Sequence, residues 1–320
     1  MFTWVLQRVS EAGLLKGKII GIDATTLEAN AALRSIIRRD TGEAYQEFLV
    51  KLAKESGIET PTREDLARLD RKRTKKGSNK DWKHPHDPDA RITKMKDGST
   101  HLAHKTENAV DLDTGVVVAV TVQAADAGDT TTMIETSTAA ADQIAAVLPE
   151  SKGMQELVAD KGYHSTERIL DLEHIGVRTY ISEPKQRRRR WRGNHEARDA
   201  VYGNRRRIRG KRGKELLRRR GEFLERPFAH LYETGGMRRT HLRGRANILK
   251  RVLIHVSALN LGLLWRRGIG IGTPRSLQGG AKSLVFSLIQ SLEMAFRRFS
   301  KGIISLSITF RLPRALCRLV

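Results

Sequence analysis

The sequence predicts a mixed α/β fold, one sheet covered by helices. Three observations predict it. Two short apolar runs each end on an aspartate, IIGID at 19–23 and LVAD at 157–160. Between them, HLAHKTENAVDLDTGVVVAVTVQ (101–123) holds two apolar-rich stretches divided by Asp113, Thr114 and Gly115, good turn formers, and reads as a hairpin. The segments that separate and follow these runs carry helical spacing instead of alternation.

The elements follow in order. TWVLQRVSEAGLL (3–15) places Trp4, Val5, Val9 and Leu14 on one helix face, with Gly17 as its close. Ile19–Ile22 form a buried strand that ends on Asp23. Residues 28–99 are a polar insertion with one helix expected around AYQEFLVKLAKES (44–56). Its second half, from Arg71 to Ser99, is rich in charge, Gly and Pro and reads as a surface insertion or linker. After the hairpin come a helix over 131–148, the strand Leu157–Ala159 ending on Asp160, a helix opened by Ser165, and the strand VRTYIS (177–182). KELLRRRGEFLERPFAHLY (214–232) returns to helical spacing, with Leu217, Leu224, Phe228 and Leu231 on one stripe. RANILKRVLIHVSALNLGLLWRR (245–267) is a second, apolar helix, and 268–320 is a linker and a basic amphipathic tail. Pro227 predicts a kink or a helix boundary within two residues of Glu225, because its ring clashes with the carbonyl four residues back.

The 320 residues carry 59 Lys and Arg against 36 Asp and Glu, a net charge of +23. A folded chain so basic calls for a polyanionic partner, and nucleic acid is the commonest. The basic excess is concentrated: 17 Lys and Arg face three acids between Lys185 and Arg220. A lone cysteine, Cys317, excludes a disulfide framework and a cysteine-based zinc site within one chain, and suits a reducing cytoplasm. The start lacks the pattern of a signal peptide. No uninterrupted apolar run reaches the length of a membrane span, so no membrane partner is expected.

An aspartate at the end of a buried strand is expensive unless a positive partner neutralises it. An arginine, loop N–H groups or a metal ion could serve. Asp23 and Asp160 both leave strands at the position where functional groups of open α/β sheets collect. In a strongly basic chain, that pair points to a divalent metal site facing a phosphodiester. Mg²⁺ favours carboxylates, waters and phosphate oxygens, and two ions about 4 Å apart can serve the attacking and leaving oxygens. The third acid is assigned to Glu225, with Glu222 as its rival. Each has a plainer reading: Asp23 as a helix cap, Asp160 paired with Lys161 or capping at Ser165, Glu225 paired with Arg218 or Arg226. For DNA, the expected contacts are Arg188, Arg189, Arg190 and Arg206 in the basic run, with Trp191 or Tyr202 stacking on an end base. Arg220, Arg226 and Lys250 or Arg251 are expected on backbone phosphates. Tyr163 and His164 shape the surroundings of Asp160, and His84 and His86 have a metal-like spacing in a polar loop.

Four ordered blocks carry a resemblance: GIDATTLEANAALRS, HLAHKTENAVDLDTGVVVAVTV, VADKGYHS, and RRRGEFLERPFAHLYETGGMRRTHLRGRANILKRVLIHVSALNLGLLWR. Over roughly residues 1–267 the chain resembles the DDE transposases of bacterial insertion sequences. The resemblance implies an RNase H-like mixed five-stranded sheet flanked by helices, with a basic insertion after the first strand and a helical C-terminal part. It implies Asp23, Asp160 and Glu225 as catalytic metal ligands for two Mg²⁺ ions, with Mn²⁺ as a substitute. The activity implied is cleavage of transposon ends and strand transfer into target DNA, double-stranded DNA being the partner and a homo-oligomer the working form, in a bacterial cytoplasm. Only 22 residues precede Asp23 where members carry a helical DNA-binding region, so 1–16 is expected to be its remnant and 17–267 the catalytic domain. Two rivals stand beside this reading: an inactive remnant that only binds DNA, and a basic RNA-binding structural protein.

Overall fold

A computed structural model describes residues 1–73, 77–95, 97–185, 191–269 and 290–291. Arg188, Arg189 and Arg190 therefore lie outside the described residues, as does nearly all of the tail. The chain divides into two compact units, Met1–Trp265 and Arg266–Val320. The described residues of the second unit are helical.

In chain order the first unit contains α1 (Phe2–Glu11), β1 (Ile19–Glu28), β2 (Ile37–Arg38), α2 (Tyr45–Glu55), α3 (Arg63–Lys72), β3 (Trp82–Lys83), β4 (Arg91–Lys94), β5 (Thr100–Asp111) and β6 (Val117–Ala124). Then follow α4 (Asp129–Val147), β7 (Glu156–Ala159), α5 (Thr166–His174), β8 (Arg178–Ile181), α6 (His195–Arg209), α7 (Lys211–Ala229) and α8 (Arg245–Ile269), which belongs to the first unit as far as Trp265.

The main sheet runs β6-β5-β1-β7-β8, with β4 beside the start of β5 as a sixth strand. β5 is antiparallel to β1, β4 and β6, whereas β1, β7 and β8 are mutually parallel. This is the RNase H-like arrangement that the resemblance implied, enlarged by one strand from the insertion. Helices cover both faces. On one, Ile20 and Ile22 of β1 pack with Val5 and Leu6 of α1, Met133 and Ile144 of α4 and Ile169 of α5. On the other, Leu27, Val110 and Val117 meet Leu224 of α7 and Ile248, Val252 and Val256 of α8. The alternation along β1 sorts its residues between these two cores. Gly21 marks where α7 comes closest, since a Cβ there would stand 2.7 Å from a Leu112 methyl and 3.1 Å from one of Leu224.

Several expectations are corrected. α1 ends at Glu11, not near Gly17, because Gly13 takes φ +72°. Its N–H bonds to Ser10 O while that of Leu14 reaches back to Val9 O, a Schellman stop. β1 does not end on Asp23 but runs on to Glu28 against β5. What ends is its pairing with β7, which stops at Gly21. The stretch from Arg71 to Ser99 is not a linker: it includes β3 and β4 and buries Trp82, His84, Asp87 and Ala90. Its hydrophobes are few, but Trp82 packs edge-on to Tyr45 and Phe48 of α2. His84 is buried instead of looped out, and its Nδ1 accepts a hydrogen bond from the His86 backbone. Pro227 lies inside α7, which continues to Ala229 before a π-helical turn, His230–Thr234. The boundary therefore falls beyond the proline, four residues after Glu225. Leu216 takes the buried place expected for Leu217.

α8 has the length and apolarity of a membrane span. Its stripe of Ile248, Val252, Val256 and Asn260 is nonetheless buried in this core. Asn260 donates to Val117 O at 2.8 Å and accepts from Val117 N at 3.0 Å on the outer edge of β6. Asn204 of α6 does the same to Ile181 on the outer edge of β8, at 2.8 and 2.9 Å. Each amide stands in for a neighbouring strand. Replacing Asn260 by Leu strands a buried N–H and a buried C=O, so equilibrium urea unfolding should show a loss of roughly 2–5 kcal/mol.

Candidate active site

The pairing of β1 with β7 lasts three residues, Ile19–Gly21 against Glu156–Val158. Beyond it the two strands carry Asp23 and Asp160 side by side at the carboxyl end of the parallel pair. Asp160 opens a short 3-10 turn, Lys161–Tyr163, and its Oδ1 accepts the Gly162 N–H at 2.8 Å. Asp23 Oδ1 accepts the Ala24 N–H at 2.9 Å. The outer oxygens of both face one guanidinium. Arg220 Nη2, from α7, stands 2.7 Å from Asp23 Oδ2 and 3.8 Å from Asp160 Oδ2. Its Nε donates to Ile22 O at 3.3 Å. Side-chain exposure falls from 43% at Asp160 and 28% at Asp23 to 13% at Arg220, so the arginine is the floor of the crevice.

Behind the Asp160 turn lies a polar network that the sequence reading missed. The Tyr163 hydroxyl, buried, donates to Glu107 Oε1 at 2.6 Å, and Thr132 Oγ1 donates to the same oxygen at 2.9 Å. Lys105 Nζ donates to Asp129 Oδ1 at 2.5 Å and to Thr132 Oγ1 at 2.9 Å, and lies 4.0 Å from Glu107. Burial pushes the Glu107 carboxyl up despite these donors. Burial and the neighbouring Glu107 push the Tyr163 phenol far above its ordinary value, so it stays a donor. Asp129 also fixes Gly162, where a Cβ would stand 2.3 Å from Asp129 Oδ2 and 3.1 Å from Asp160 Oδ1. A signal for this network was present in HKTEN, where five polar or charged residues interrupt an otherwise apolar hairpin.

The other site expectations separate. Glu225 is exposed on α7, five residues after Arg220 and hence about 140° around the helix from it. Glu222 is exposed too and pairs with Arg226, whose guanidinium lies 4.9 Å from the Phe223 ring. Neither joins the aspartates: among the described residues no group of three or more His, Cys, Asp or Glu stands close enough to hold a metal ion. Of the expected phosphate contacts, Arg206 and Lys250 are exposed, whereas Arg220 points inward. Trp191 packs against the core and beside Tyr202, ring centroids 6.1 Å apart. Tyr163 is a buried anchor for the Asp160 turn, and His164 is buried beside it.

The family model described as the transposase DDE domain matches residues 46–261, about two thirds of the chain. This chain belongs to the DDE transposase-domain family. The match includes Asp160, Arg220 and Glu225 and begins beyond β1, so Asp23 enters through its place beside Asp160. No curated protein and no solved structure matches the chain. As a DDE transposase domain it belongs among the enzymes of DNA transposition, with DNA as the general partner and divalent metals as the family's usual cofactors.

Tyr163→Phe removes one donor from the buried Glu107 carboxylate, a loss of about 1–3 kcal/mol. For this DDE domain that corresponds to a melting temperature lower by several degrees, about 2–4 °C per kcal/mol, readable by calorimetry.

Proposed function

We propose that this DDE transposase domain cuts DNA at transposon ends and joins them to target DNA, with Asp23 and Asp160 as the catalytic metal ligands. One observation carries the reading: two carboxylates from adjacent parallel strands converge on a single cationic group in a crevice open to solvent. The donor set suits a hard divalent ion, Mg²⁺ or Mn²⁺, because both ligands are carboxylate oxygens with room for water and phosphate beside them. Such ions supply Lewis-acid activation of the phosphodiester and of the attacking oxygen. Glu225, the family's third acid by position, would complete the ligand set from α7.

The chain's own residues supply the rest. The Gly162 N–H holds Asp160 Oδ1, leaving its other oxygen aimed into the crevice. The Glu107–Tyr163 bond ties the Asp160 turn to β5, so the two aspartates keep their spacing when substrate binds. Arg206, Arg226 and Lys250 offer exposed charge for the DNA backbone, and their contribution falls with salt as counterions cease to be released. Bringing two transposon ends together calls for more than one copy of the chain, so a homo-oligomer belongs to this reading.

A second reading, DNA binding without cleavage, is favoured by one observation: Glu225 lies outside the aspartate pair. Nicking of supercoiled plasmid in Mn²⁺ separates the two. The purified chain should nick, and Asp160→Asn should reduce nicking by at least about a hundredfold while keeping plasmid retention in filter binding. Retention without nicking in both proteins would establish the binding-only reading instead. In either case, retention should weaken steeply as salt rises from 50 to 200 mM, the behaviour of an interface built on phosphate contacts.

A further inference from the structure

We infer that Arg220 is a resident counter-ion which a divalent metal must displace from Asp23 and Asp160, so that metal loading and release of this arginine are one exchange. The inference rests on the proposed metal site.

The geometry is that of an occupied cation site. The Arg220 guanidinium contacts Asp23 Oδ2 and approaches Asp160 Oδ2, the two oxygens left over after Ala24 N and Gly162 N have taken the others. It is also moored to Ile22 O, on the strand that carries Asp23. Arginine has five donors and no acceptor, so it cannot become a ligand to the ion that enters. It also keeps its charge at any pH the protein survives. A guanidinium and a divalent ion between the same two carboxylates would place three positive charges against two negative in a half-buried crevice, where charges are weakly screened. One of the two cations must leave.

The exchange has a destination. Arg220 comes from a long side chain on α7, and its neighbour Arg219 is already drawn outward, to Asp113 and Glu215. Once free, the Arg220 fork suits a phosphodiester, which accepts two parallel N–H bonds. DNA would then stabilise the displaced arginine, and by linkage the chain would bind metal more tightly with DNA present. The same side chain thus guards the empty ligand set and serves the filled one.

Mn²⁺ binding to the full chain, without DNA, tests this by the electron paramagnetic resonance signal of free Mn²⁺. Arg220→Gln should bind Mn²⁺ about tenfold more tightly than the wild type, equivalent to ~1.4 kcal/mol of displaced competition. Arg220→Lys keeps a charge on a shorter reach and should fall between the two; it stands in for the glutamine variant if that one does not fold. A short duplex should tighten Mn²⁺ binding by the wild type and leave Arg220→Gln unchanged. Equal or weaker affinity in a folded Arg220→Gln protein overturns the exchange. Asp160→Asn, made in both backgrounds, keeps the two claims apart. If it abolishes binding while Arg220→Gln gives no gain, only the exchange fails. If it leaves Mn²⁺ binding intact, or if no variant binds Mn²⁺, the metal-site reading fails as well.

Discussion

The structure depends on how negative charge is neutralised inside a sheet. β5 and the insertion place Glu107, Asp111 and Asp87 where water is scarce, β1 places Asp23 at the half-buried edge of the crevice, and each acid recruits a partner from a different part of the chain. Asp111 accepts the Lys16 and Gly17 N–H groups at 2.7 and 2.9 Å, fixing the loop that leads into β1. Asp87 meets His104 at 3.0 Å and the Gly244 N–H at 3.1 Å, tying the insertion to β5 and to the approach of α8. Glu107 takes Tyr163 and Thr132, and Asp23 takes Arg220. A buried carboxylate without such a partner would cost several kcal/mol, so losing any one of these contacts is far more damaging than the contact's net worth suggests.

The two sheet faces do different work as a result. Under α1, α4 and α5 the core is close to purely aliphatic around Ile20 and Ile22, with the Glu107 network sealed beneath the Asp160 turn. Under α7 and α8 the packing is aliphatic at Leu27 and Leu224 and turns ionic at Asp23. The change falls along a single strand, within a few residues. Gly21 lets α7 approach, Asp23 meets its arginine, and the Thr25 hydroxyl meets that of Tyr232 in the π-helical turn. α7 is therefore held by the strand at successive levels, and whatever moves Arg220 acts on a helix that is anchored on either side.

Much of this was legible in the residues. The two Asp-terminated runs, the DTG turn and the order of helices and strands identify the sheet, because apolar period and turn chemistry are local signals. The insertion was misread because its burial comes from a few residues, Trp82, His84 and Asp87, whose partners lie far away in the chain. No window of composition contains that information. Pro227 misled for a related reason: α7 runs two residues past it, to Ala229, before giving way to a π turn, so the helix ends after the proline and not at it. At the site, the aspartates could be paired from strand logic alone, whereas the inward turn of Arg220 could not. In RRRGEF three arginines look alike, and only the packing of α7 on β1 decides which of them faces the sheet.

The amides of Asn204 and Asn260 have a consequence for assembly. Each occupies hydrogen-bonding positions on an outermost strand, at the two opposite margins of the sheet. A partner that tried to extend the sheet by laying a strand alongside would find those positions taken by side chains it would have to evict, leaving buried amides behind. Another protein would meet these two positions through helices or loops more readily than through a strand. At Val117 and Ile181 the sheet is closed to a further strand.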